Sequence, residues 1–75
     1  MPTAFVLINA EIGFEKEVLN ELKKIKFVRE AYMVYGAYDL IVKVETNTMD
    51  ELRDVVTWQI RRLDKVRSTQ TMIVM

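Results

Sequence analysis

Tyr35-Gly36-Ala37-Tyr38-Asp39-Leu40-Ile41-Val42-Lys43-Val44-Glu45 joins a glycine-bearing turn to a run of β-branched and apolar residues. Gly36 supplies the backbone freedom that a tight reversal needs, and aspartate is an ordinary turn residue. Val28 to Tyr35, just before it, has strand composition, so the centre of the chain is predicted to be a β-hairpin with glycine at its tip. Toward the N-terminus, Phe14, Val18, Leu19, Leu22 and Ile25 recur at helical spacing, with Glu15, Lys16, Glu17, Glu21, Lys23 and Lys24 filling the remainder. An amphipathic helix is expected there, entered after Gly13. Earlier still, Thr3 to Ala10 is apolar without alternation, the pattern of a central strand covered on both faces.

Toward the C-terminus, Thr46-Asn47-Thr48 is a turn, and Thr48-Met49-Asp50-Glu51 has the form of a capping box. A second helix is therefore expected from near Met49 to about Leu63, with Asp50 and Glu51 at its start and Arg61 and Arg62 at its end, as the macrodipole favours. Val66 to Met75 closes the chain as a strand, with Ser68, Gln70, Met72 and Val74 on one side and Thr69, Thr71, Ile73 and Met75 on the other. The order is β-α-β-β-α-β. Right-handed crossovers place the first and third strands in the centre, which gives an α+β, ferredoxin-like fold: a four-stranded antiparallel sheet with two helices on one face.

Seventy-five residues make a single domain, 1–75, and 51% hydrophobic against 29% charged residues is enough apolar surface for a core. Eleven basic and eleven acidic side chains cancel, which removes the net-charge argument for a nucleic-acid or anionic-membrane surface. There is no cysteine and no histidine, so disulfides, thiolate zinc sites, imidazole ligands and Ser/His or Cys/His nucleophile pairs are all excluded. No enzyme activity, metal or cofactor is expected. The longest apolar run, Ala4 to Ile8, is far too short to span a bilayer, and a cytoplasmic protein is expected.

Two helices cover one side of a four-stranded sheet. Whatever the central strands project to the other side, Phe5 and Leu7 first, needs a partner, and self-association into at least a dimer is expected. A core this small rarely leaves more than about 3–5 kcal/mol, which points the same way. On the second helix, Trp58 lies about 200° from the buried stripe centred on Val56 and is expected to face away from the sheet. It is either a surface aromatic stacked on Arg61 or Arg62 or part of a second contact surface.

The hairpin carries the most suggestive chemistry. Gly36 lets backbone N–H groups approach a guest and Asp39 offers a carboxylate, so the segment could hold a zwitterion such as a free amino acid, with an ordinary turn as the alternative. RNA-recognition motifs share the element order, but the third strand, Asp39 to Val44, lacks their stacking aromatics and basic-glycine pattern.

Gly36-Ala37-Tyr38-Asp39-Leu40-Ile41-Val42-Lys43-Val44 resembles the Gly-x-Tyr-Asp plus apolar strand of the RAM domain, the effector-binding half of the Lrp/AsnC feast/famine transcriptional regulators. The strand from Val28 to Val34 and the closing Val66 to Met75 sit where that family has its counterparts, so the likeness covers nearly the whole chain. The resemblance implies dimers formed through the sheet, assembling into rings of eight or ten chains, with amino acids or similar small metabolites bound between dimers. It implies effector contacts at Gly36, Ala37, Tyr38 and Asp39 in the hairpin and at Thr69, Thr71 and Ile73 in the last strand, with Tyr35 as a neighbour. Lys26-Phe27 departs from the Pro-Gly that members often carry before the second strand. No helix-turn-helix fits before Thr3, so direct operator binding is not expected, and co-assembly with full-length Lrp/AsnC regulators is the implied route to transcription. The alternative is a purely structural oligomerisation module with no ligand.

Overall fold

The computed structural model describes residues 1–75. Four strands, β1 (Thr3–Ala10), β2 (Val28–Met33), β3 (Leu40–Glu45) and β4 (Val66–Ile73), pair antiparallel in the order β2-β3-β1-β4. Helix α1 (Glu15–Lys23) joins β1 to β2. Helix α2 (Met49–Asp54) continues without interruption into a wider π-helical segment, Val55–Ile60, before β4. The ferredoxin-like order expected from the sequence is therefore the one observed.

Burial explains why these elements hold together. Ala4, Val6, Ile8 and Ala10 of β1 and Leu40, Val42 and Val44 of β3 point to the helices, where they meet Val18 and Leu22 of α1 and Leu52, Val55, Val56 and Ile60 of the second helix. The alternate β1 residues Thr3, Phe5, Leu7 and Asn9 are only half-buried. The unbroken apolar run of β1 thus belongs to a strand covered on one face in the single chain, with the other face open.

Several boundaries differ from the sequence expectation. β2 ends at Met33 and not Tyr35, because the Val34 amide turns to bond the Asp39 carbonyl at 2.9 Å and closes the hairpin there. β4 ends at Ile73, with a last bond from the Val74 amide to Thr3 at 2.9 Å. The second helix stops at Ile60 and not Leu63. Its final turn is wide: the Arg61 amide reaches back five residues to the Val56 carbonyl at 3.1 Å. Three consecutive β-branched residues, Val55-Val56-Thr57, crowd a tight α turn and favour this loosening. Met49, at the start of this helix, is exposed. The capping box is present in full, with the Glu51 amide donating to Thr48 Oγ1 at 3.1 Å and the Thr48 amide to Glu51 Oε1 at 3.0 Å.

Candidate functional site

Antiparallel topology brings the end of β1, the start of α1, the β2–β3 hairpin and the start of β4 to the same end of the molecule. Asp39 ties the end of β1 to the hairpin with three bonds. Its amide donates to the Ile8 carbonyl at 2.9 Å, its carbonyl accepts from Val34 at 2.9 Å, and its Oδ2 accepts from the Ala10 amide at 3.0 Å. Pairing of Ile8 with Leu40 would set Asp39 opposite Asn9. The chain leaves that register here, and the carboxylate takes the place of a ladder carbonyl for Ala10. Consequently the loop Tyr35 to Tyr38 is fixed at both ends, while none of its four amides has an acceptor within the chain. Gly36 has φ +147°, a conformation that side chains rarely adopt, with open space where a Cβ would stand.

A cleft of about 360 Å³ opens beside this loop, lined by Glu15, Met33, Val34, Tyr35, Gly36 and Asp39. A second, of about 380 Å³, continues on the other side of Asp39 toward Asn9, Arg67 and Ser68. The site therefore offers free backbone donors at the loop, carboxylates at Asp39 and Glu15, and an apolar wall from Met33 and Val34. Such a set can grip a carboxylate, an ammonium group and a small apolar body together.

The remaining sequence-expected residues lie elsewhere. Tyr38 points across the open sheet face, its hydroxyl donating to Gln70 Oε1 at 2.7 Å. Thr69, Thr71 and Ile73 pair with Ile8, Val6 and Ala4, so they lie on the helix side of edge strand β4, two strand positions from β3. Ile73 is four residues, or about 13 Å, along the strand from Thr69 and at the far end from the hairpin. One chain thus brings together Tyr35, Gly36 and Asp39 and leaves Thr71 and Ile73 apart from them. Sequence reasoning passed over Glu15, Met33 and Val34 as cleft lining. The β-α-β-β-α-β order was the available signal, since it places the start of the first helix beside the central hairpin.

The open face carries Phe5, Leu7, Ile41, Tyr32 and Met72. Its charges are paired: Lys43 Nζ lies 3.7 Å from Glu30, and Arg29 Nε 3.5 Å from Glu45. Tyr32 donates to Glu30 Oε1 at 2.8 Å, and that bond, with the nearby negative charge, raises the phenol above its ordinary pKa. No group of three or more His, Cys, Asp or Glu side chains is placed to hold a metal ion. No helix is long and apolar enough to cross a membrane.

Comparison with known proteins agrees with this architecture. The regulatory protein AsnC of Haemophilus influenzae is 34% identical over 70 residues, covering 93% of this chain and 46% of that protein. The HTH-type transcriptional regulator FL11 of Pyrococcus furiosus is 35% identical over 72 residues, covering 96% of this chain and 47% of its own length. The chain therefore spans about half the length of these relatives, which are transcriptional regulators and not enzymes. The crystal structure of FFRP-DM1 superposes with a TM-score of 0.96 at 47% identity, each chain covered in full. The family described as the Lrp/AsnC ligand binding domain matches residues 3–75, and the chain belongs to that family.

Proposed function

We propose that this chain is a non-enzymatic, cytoplasmic effector-binding domain that takes an amino acid or similar small zwitterion at the Tyr35–Asp39 hairpin and modulates transcription through regulators of its family. The observation that carries the reading is the run of four unengaged amides, Tyr35 to Tyr38, next to the anchored Asp39. The amides receive the carboxylate of the effector. The free Asp39 Oδ1, with Glu15 beside it, receives the ammonium group. Met33 and Val34 select for side chain. The separation of Thr71 and Ile73 from the hairpin within one chain supports a site shared between copies, each completing the cleft of its neighbour. Phe5 and Leu7 on the open face, among charges already paired within the chain, support self-association through the sheet, in dimers from which rings of eight or ten chains are built.

Isothermal titration with each of the twenty amino acids, held at millimolar concentration, tests the sensing role. At least one is expected to bind and to raise the thermal midpoint. Asp39→Asn keeps an acceptor for Ala10 but removes the counter-charge, so it is expected to stay folded and lose at least about tenfold in affinity. A chain that binds none of the twenty is a structural module with an ordinary turn.

A further inference from the structure

We propose that the hairpin site extends into a trough that takes a short peptide, with its N-terminal ammonium group between Asp39 and Glu15 and its C-terminal carboxylate between Arg67 and Arg61. The proposal rests on the ammonium position assigned above to Asp39 and adds a second anchor to it. Three clefts adjoin around the end of the sheet. The hairpin cleft of about 360 Å³ shares Glu15 and Asp39 with the next, of about 380 Å³. That one shares Arg67 and Ser68 with a third, of about 340 Å³, which continues to Arg61 and Thr69. Each alone is at the lower end of the range for small-molecule sites, about 300–1,000 Å³, and the three in line reach its upper end.

The trough is polarised. Its hairpin cleft has two carboxylates and no cation, and its far cleft has two arginines and no carboxylate. None of Glu15, Asp39, Arg61 and Arg67 joins an ion pair within the chain, whereas the charges of the open sheet face do. The distance between the poles sets the length of the guest. Ser68 pairs with Asn9 on one side of β1, and Asp39 precedes Leu40, the partner of Ile8, on the other side. Strands lie about 4.8 Å apart, so the poles are about 10 Å apart. An α-amino acid carries its ammonium and carboxylate on one carbon and cannot reach both. One residue of extended chain spans about 3.3–3.6 Å, so three residues do. In such a peptide the carboxylate moves from the loop amides to the arginines, which grip it as a planar fork, and the first side chain stays against Met33 and Val34. The strand beside the third cleft supplies backbone partners. β4 is an edge of the sheet, and its Val74 amide bonds Thr3, so by alternation the amide and carbonyl of Thr69 face outward. Outward backbone groups at a sheet edge favour a peptide over an elongated zwitterion without amide groups.

Titration calorimetry with the twenty free amino acids and the twenty matching tripeptides, each that residue followed by Gly-Gly, tests it. At least one tripeptide is expected to bind about tenfold or more tighter than its free amino acid. Amidating the C-terminus of that tripeptide is expected to remove the gain. Arg61→Gln and Arg67→Gln are each expected to shrink it, and in the doubly substituted chain amidation makes no further difference. Both arginines are exposed, and an unchanged circular dichroism spectrum establishes that the variants are folded. If free amino acids bind and no tripeptide binds tighter, the proposal is overturned and the proposed function stands. Acid and amide forms that bind alike overturn it in the same way. A tripeptide that binds through the arginines when no free amino acid binds supports the trough and removes the free amino acid as effector. If nothing binds, both readings fall.

Discussion

At the scale of single residues, Asp39 shows how one side chain can be at once a turn residue and a scaffold for a site. Its sequence neighbourhood suggested a choice between bonding its own turn and meeting a ligand. The structure spends one carboxylate oxygen on the Ala10 amide, twenty-nine residues away, and leaves the other free. No local pattern encodes that bond, because it depends on where β3 leaves its register with β1. Gly36 was legible from chemistry alone, since a reversal at positive φ selects glycine. Tyr32 carries a prediction of the same scale. Glu30 accepts its hydroxyl proton and repels the phenolate, so folding favours the neutral form. The stabilisation is complete below the unfolded tyrosine value of about 10 and fades as pH rises through the higher folded value. Ultraviolet difference titration is expected to show that Glu30→Gln lets a tyrosine ionise at lower pH than in the wild type. A tyrosine titration unchanged by Glu30→Gln would refute this.

At the scale of elements, the helix starts were easier to read than the ends. Thr48 and Glu51 announce the second helix because a capping box is a local exchange of hydrogen bonds three residues apart, independent of tertiary context. The end of that helix was misjudged by three residues. Its apolar periodicity runs on to Leu63, but the β-branched Val55-Val56-Thr57 opens the turn into π geometry, and a fixed 100° step no longer describes the path. Trp58 nonetheless faces outward and stacks on Arg62, because one wide turn displaces a side chain by less than its distance from the buried stripe. Thr48→Ala removes the acceptor for the Glu51 amide and unsettles the return bonds from Glu51 to Asn47 and Thr48. The expected cost is about 1 kcal/mol, a large share of the few kcal/mol such a core supplies. Urea unfolding reads it directly as a lower midpoint with an unchanged slope, and a coincident curve would show that the cap is dispensable.

For the whole molecule, the decisive feature is that β1 is apolar on both faces while its own chain covers one. Val6 and Ile8 are completely buried against the helices, whereas Phe5 and Leu7 lie on the bare side between Ile41, Gln70 and Met72. The sequence revealed this as a missing alternation, and topology turned it into an open face. How the proposed hairpin site would be divided among copies is not legible in the sequence, since it depends on an arrangement of chains and not on the fold of one. Leu7→Glu isolates the question. Leu7 sits in the middle of the open face and away from the helices, so a carboxylate there leaves the buried set of Ala4, Val6, Ile8 and Ala10 intact. The variant is expected to remain folded but to sediment as a smaller species, because burying an unpaired charge in an interface costs several kcal/mol. Its thermal midpoint should also stop rising with protein concentration, as that of an associating wild-type chain does through mass action. If Leu7→Glu associates as strongly as the wild type, the sheet face is not the contact, and the assembly must be sought on the helical side that bears Trp58.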